Sequence, residues 1–289
     1  MYFEKKYKIA VYLISFSVFI VFLSLLIIQK VYVLSPPYYV PLSKKINNSI
    51  GLGLITAFLF PAFVEFNNSK WLKSVDNNTP RLLLDITETV RTGVPLMKAL
   101  QDASTRDYGP VSEKLSNAML RFRLTSNFED ALNRLSGDLF RPVVRNMNTL
   151  LLEAYQMGGQ AISVLETSVD LFTNMAEHQE QRKSKTTPYV TIVYAGSIIF
   201  LIISYVILTK FIVPINNTSI DPSLINSGTF FGAEDIQYFD SILYWAAIIQ
   251  AIFGGLVAGK IGTGRLSGGI IHVVLLLGIT ILFFNLFSI

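Results

Sequence analysis

Five stretches of this chain are apolar and long enough to cross a lipid bilayer, and they limit what it can fold into more than any other feature. A helical span needs about 20 apolar residues, at roughly 1.5 Å of rise each. Ile9 to Ile28 carries no charge over 20 residues. A second stretch runs from about Ile46 to Phe66, with Glu65 near its end, and a third is uncharged from Pro188 to Thr209. The fourth, Ser241 to Gly259, has 19 uncharged residues, and the fifth covers about Gly268 to Ile289. Only 15% of the chain is charged, against about 25% in soluble domains. The first stretch lacks a small-residue cleavage site and is followed by Gln29, Lys30 and bulky residues. It therefore reads as an anchor and not as a removable signal.

Lys and Arg near the ends of spans set orientation, because they are retained on the inner side. Lys5, Lys6 and Lys8 precede the first span, Lys70 and Lys73 follow the second, and Arg182, Lys183 and Lys185 precede the third. Lys260 and Arg265 separate the fourth from the fifth, whereas Pro214 to Asp240 holds no Lys or Arg. This distribution predicts an inside N-terminus and an outside C-terminus, with Lys30, Lys44 and Lys45 on the minority side. Tyr38, Tyr39 and the prolines of "SPPYYVP" read as an interfacial aromatic cluster. The net charge of +4 is accounted for by this placement and does not call for nucleic acid.

The expected organisation is a two-span hairpin over 1–66, a soluble segment over 67–187 and three further spans over 188–289. The soluble segment holds 15 Lys/Arg against 14 Asp/Glu, the mixed surface of a globular domain with no basic footprint. Its apolar periodicity is helical, as at Leu115, Met119 and Phe122. Thr79-Pro80 reads as a helix start, and Gly93 as its stop. Further helices begin at Pro95, at Pro110 after Gly109, and after a Ser126/Glu129 capping box. Another begins at Pro142 and stops at Gly158-Gly159, and a last one runs from about Gln160 to the membrane. Six helices with short connections predict a bundle. The predicted fold is all-α, a polytopic membrane protein with five transmembrane helices and a cytoplasmic six-helix bundle.

The stretch "GGLVAGKIGTGRLSGGIIH" from Gly254 to His272 matches a phosphate-binding loop, G-x-x-x-x-G-K-[ST], except that Ile261 replaces the metal-binding hydroxyl. A phosphate loop needs a strand before it and a soluble domain around it. Here an apolar span precedes it and another follows, so the glycines suit a tight turn and close helix packing.

The ordered stations "TVRTGVPLMKALQDAS", "YGP", "NFEDALNRL" and "LLLEAYQMGGQAISVLE" resemble the type II secretion F-domain. The glycine-rich tail is most similar to the archaeal and Tad-type branch of that family. The resemblance covers roughly Arg81 to Ile289. It implies a non-enzymatic platform in the cytoplasmic membrane, engaging a hexameric assembly or secretion ATPase and moving pilin- or archaellin-like subunits into a filament. Archaellum platform proteins carry two such modules where this chain has one, which implies a homodimer or a paired second platform chain.

Candidate partner contacts are Lys260 and Arg265, which also suit anionic headgroups of membrane lipids, together with Asp85, Glu88 and Glu153. Asp85 and Glu88 share a helix face with Arg81 and Arg91, and Arg81–Asp85 has the spacing of a helical ion pair. Glu153 lies in an apolar helix and is expected to be partly buried. Gly93, Gly109, Pro110, Gly158 and Gly159 are turn positions that present the tips of the bundle to a partner. Neither His178 nor His272 has a second ligand at metal spacing, and no cofactor site or catalytic set is apparent. Cysteine is absent, so thiolate chemistry and disulfides are excluded. Glu65 is expected at the interface, where its charge reaches water. The sequons at Asn47, Asn67, Asn77, Asn216 and Asn217 fall on both sides and do not fix topology. A small transporter is the alternative, with Gln250, Ser204 and Gly196 as its few midplane features. A membrane-anchored signalling scaffold is another.

Overall fold

A computed structural model of the chain describes residues 5–28, 40–214 and 233–287, and every regular element among them is helical. The helices are α1 (Lys5–Ile28), α2 (Lys44–Arg91), α3 (Leu96–Ala103), α4 (Pro110–Thr125), α5 (Phe128–Leu139), α6 (Pro142–Met157), α7 (Ala161–Ile207), α8 (Ala233–Thr263) and α9 (Ile270–Phe287). A 3-10 turn, Gly158–Gln160, leads into α7, and a π-helical stretch, Leu208–Ile212, extends it. Five helices are long and apolar enough to span a membrane. The aromatic cluster at Tyr38 and Tyr39, Lys30, Asn216 and Asn217 lie outside the described residues.

Two compact units are present. One is Asn67–Lys185, and the other holds the described residues within Lys6–Phe66 and Thr186–Ile289. Each of α2 and α7 is a single unbroken helix that contributes to both. This corrects one expected helix start, because Pro80 lies inside α2, and Pro188 likewise lies inside α7. A proline inside a helix removes one hydrogen bond, here to the carbonyl of residue 76 or 184. Neighbouring packing outweighs that loss: Val75, Leu82 and Leu83 around Pro80 are fully buried. The first and last of the six expected soluble helices are thus parts of longer ones.

In the Asn67–Lys185 unit the core is an apolar cluster drawn from all six helical segments, including Leu82, Leu100, Leu115, Leu132, Met147 and Leu165. On α6 the buried stripe is Val144, Met147, Leu151 and Ala154. Glu153 lies two residues past Leu151, roughly 200° around the helix, and is exposed. The expectation that it is partly buried is therefore corrected. The capping box is displaced too. Ser126 takes a left-handed φ of 54° as the C-cap of α4, so Asn127 becomes the N-cap of α5 and accepts from the Asp130 N–H at 3.0 Å.

The other unit inverts this pattern. Few residues of α1 are buried, and Leu13, Ile14 and Phe16 lie on its exposed surface. Its core is a seam in which Leu201, Tyr244, Ile248, Leu276 and Leu277 meet. The stretch Gly254–Lys260 is part of α8, not a loop, so it has no nest of free N–H groups for a phosphate. Gly255 and Gly259 pack directly on α9 and its leading turn. A Cβ on Gly255 would lie 2.5 Å from the Val273 nitrogen, and one on Gly259 would overlap the Gly268-Gly269 backbone. Small residues at a four-residue spacing allow that approach.

Candidate functional site

Among the described residues of the five spans few polar side chains are buried; Ser15, Ser197 and Ser204 bond backbone carbonyls, and the side chains with several partners gather in two layers. In the first layer, Glu65 of α2 is 3% exposed. Its Oε2 accepts from Lys8 Nζ at 2.8 Å and Tyr12 OH at 3.5 Å, both on α1, and its Oε1 accepts from Ser267 Oγ at 2.9 Å. An unpaired carboxylate in this setting would be strongly destabilising, whereas an ion pair with further donors makes it tolerable. The expectation that Glu65 reaches water is corrected: protein donors surround it. In the same layer Tyr194 OH, near the start of the third span, lies 2.7 Å from His272 Nδ1 at the start of the fifth.

The second layer centres on Asn47, which is 3% exposed. Its Nδ2 donates to Pro41 O and Ser241 Oγ, each at 3.0 Å, while its Oδ1 accepts from Trp245 Nε1 at 3.0 Å. Tyr244 OH donates to the Asn47 carbonyl at 3.1 Å, and Asn48 Nδ2 donates to Asn285 Oδ1 at 2.6 Å. The first layer thus joins the start of α1, position 65 of α2, the third span near Tyr194 and the α8–α9 turn. The second joins the start of α2, the start of the fourth span and the end of the fifth. Successive spans therefore alternate in direction.

At the first layer the chain also presents its candidate cations. Lys260, in the last turn of α8, and Arg265, in the following turn, are exposed and carry no ion pair among the described residues. Gly264 between them takes a φ of 73°. Gln250 Nε2 reaches the Gly196 carbonyl at 3.5 Å, so these two midplane features do meet, while Ser204 bonds its own helix at Phe200 O.

In the Asn67–Lys185 unit, Asp85 and Glu88 do not form the expected ladder with Arg81 and Arg91. Asp85 accepts instead from Tyr108 OH at 2.7 Å, with Arg106 at 3.9 Å. Arg91 pairs with Glu166 at 2.8 Å, and Glu88, Arg81 and Glu153 are exposed. Burial, and then the bond to Asp85, push the Tyr108 hydroxyl up to about 12, so it remains a donor at neutral pH. Tyr108 opens the "YGP" turn. There Gly109 has a φ of 61°, and a Cβ would come within 3.1 Å of Ser74 Oγ on α2. Pro110 follows as the first residue of α4, Gly93 (φ 93°) follows the end of α2, and Gly158 (φ 55°) follows α6. Gly159 lies in the 3-10 turn after it. Arg141 clamps Asp76 of α2 through both carboxylate oxygens, with Nε at 2.7 Å from Oδ1. His178 is exposed, and among the described residues no cluster of His, Asp and Glu could hold a metal ion.

Sequence reasoning missed the two polar layers. Only the first left a signal, and a faint one. Lys8, Tyr12, Ser15, Phe19 and Phe22 recur at spacings of four and three, and Gly53, Ala57 and Glu65 lie on a matching stripe of α2.

Residues 82–209 match the family described as "Type II secretion system (T2SS), protein F". An uncharacterized protein of Methanocaldococcus jannaschii is 21% identical over 243 residues, covering 81% of this chain and 38% of that protein. The chain therefore spans well under half the length of that relative. No solved structure matches. Members of the F-domain family are structural membrane platform proteins. With its five apolar helices, the chain is a multi-pass membrane protein whose residues 82–209 match the type II secretion system protein F family.

Proposed function

We propose that this chain is the cytoplasmic-membrane platform of a type IV pilus-like, archaellum-like or type II secretion-like machine. In this reading it couples a hexameric assembly ATPase to the insertion of pilin-like subunits into a filament. The observation that carries it is the family match, which covers most of the Asn67–Lys185 unit and the third span. The first polar layer is the cytoplasmic one: it holds Lys8, Lys260 and Arg265, and cations mark the inner side. The N-terminus is then inside, the C-terminus outside, and residues 67–187 form the cytoplasmic domain. Lys260 and Arg265 are free to meet an acidic partner surface, as are Glu88 and Glu153 to meet a basic one. The chain itself performs no catalysis. A second copy, or a second platform chain, completes the assembly. The length of the archaeal relative, more than twice the matched segment, is consistent with a two-module protein.

The test is co-purification in mild detergent with an assembly ATPase from the same cell, followed by ATP turnover of the complex. Wild type is expected to bind and to change turnover, having none of its own, and Lys260→Ala/Arg265→Ala is expected to weaken both effects. ATP hydrolysis by the chain alone, or solute movement across liposomes without an ATPase, would overturn the reading.

A further inference from the structure

We infer that Glu65 is a positioning residue that ties the N-terminal helix α1 to the turn carrying Lys260 and Arg265, so that a disturbance of either is felt by the other. This goes beyond the platform reading and does not depend on which partner the turn meets.

The argument begins with how the carboxylate is divided. Oε2 receives Lys8 and Tyr12 from α1, and Oε1 receives Ser267 from the α8–α9 turn. One group thus holds two segments that are 259 residues apart (267 − 8). The bonds are not independent. Loss of Lys8 leaves a buried carboxylate that must reorient towards any remaining donor or water, and its Oε1 contact goes with it. Conversely, loss of Ser267 frees Oε1, and the pair with Lys8 is no longer held in one rotamer.

Both segments depend on this tie. Among the described residues α1 has one other polar tie, Ser15 Oγ donating to Ala57 O at 2.5 Å, while the Phe22 ring lies over Gly53 and Phe19 and Leu23 line a groove with Ile50 and Leu54. Most of its remaining surface faces outward. In the turn, Gly255 and Gly259 pack on α9 and its leading turn, but they join α8 only to the segment that follows it. The residues between are held by local bonds: the Gly264 N–H donates to the Lys260 carbonyl and the Gly269 N–H to the Leu266 carbonyl, each at 2.9 Å, and Leu266 is 58% exposed. The Ser267 hydroxyl is the hydrogen bond that fastens this stretch to α2.

The absence of native cysteine allows single labels. A spin label at Phe16→Cys, 62% exposed on α1, or at Leu266→Cys in the turn would be followed in the full-length protein in lipid nanodiscs. Ser267→Ala is expected to increase motion at both sites, and Ser267→Thr, which keeps the hydroxyl, to restore it at both. Lys8→Met is expected to do the same from the other side, and combining it with Ser267→Ala should add little. If Ser267→Ala loosens position 266 and leaves position 16 as in wild type, or changes neither, the inference is overturned. Ser267→Ala decides the question even if Lys8→Met fails to insert. Because no ATPase is present, a failure here is separate from a failure of the platform reading.

Discussion

The two units obey opposite rules about what is hidden. In Asn67–Lys185 the core is largely apolar, its buried hydroxyls at Thr79, Thr87 and Ser168 bonded within their own helices, and most ion pairs lie at the surface, as with Arg91–Glu166, whose side chains are 61% and 45% exposed. In the spanning unit large apolar residues such as Leu13, Phe60 and Ile192 are exposed, while Glu65 and Asn47 are buried and bonded. The cause is the solvent. Water drives apolar surface together and competes for charges. Lipid does neither, so a polar group must find its partner inside the protein. An ion pair of the same geometry therefore does different work in each unit, and substitutions sharpen that contrast.

The largest effect is expected from Lys8→Met, which strands a buried carboxylate and should cost about 3–5 kcal/mol. It should be visible as reduced membrane yield and a lower melting temperature in detergent. Glu65→Leu in the same chain should recover much of that loss, since an apolar pair has no charge to strand. Leu100→Ala opens a cavity in the core of the other unit and should cost about 2–5 kcal/mol in the same melt. An equal loss from truncating an outward-facing residue such as Leu13→Ala would break the comparison. Asn47→Ala leaves Trp245 and Ser241 without their partner and is expected to cost about 1–3 kcal/mol. Arg91→Ala, at an exposed pair, should fall below about 1 kcal/mol. If it matched Lys8→Met, the distinction between the units would collapse.

How much of this was legible in the sequence follows from the range of the forces. The spans were readable because uninterrupted apolar runs need no tertiary partner to be recognised. Helix ends read from glycine fared well where the backbone needed a positive φ, as at Gly93 and Gly158. Of those read from proline, Pro110 and Pro142 do begin α4 and α6, whereas Pro80 failed because one lost hydrogen bond was outweighed by the burial of Val75, Leu82 and Leu83. The partner of Asp85 was misassigned because the visible candidate, Arg81, was four residues away, while the one it uses, Tyr108, is 23 residues away. The candidate site suffered most. Asn47 meets a hydroxyl 194 residues on, and periodicity within a helix holds no trace of so distant a pairing.

The spacing of the donors around Glu65 also sets an order of events during synthesis. Lys8 lies 57 residues before Glu65, and Ser267 lies 202 residues after it. At about 5–20 residues per second, the ribosome needs roughly 10–40 s to go from Glu65 to Ser267. By the time Glu65 enters the bilayer its ammonium partner has already been made, so the carboxylate can enter as half of an ion pair. The hydroxyl arrives last, when the final two helices dock, and completes a contact whose charge was settled half a minute earlier.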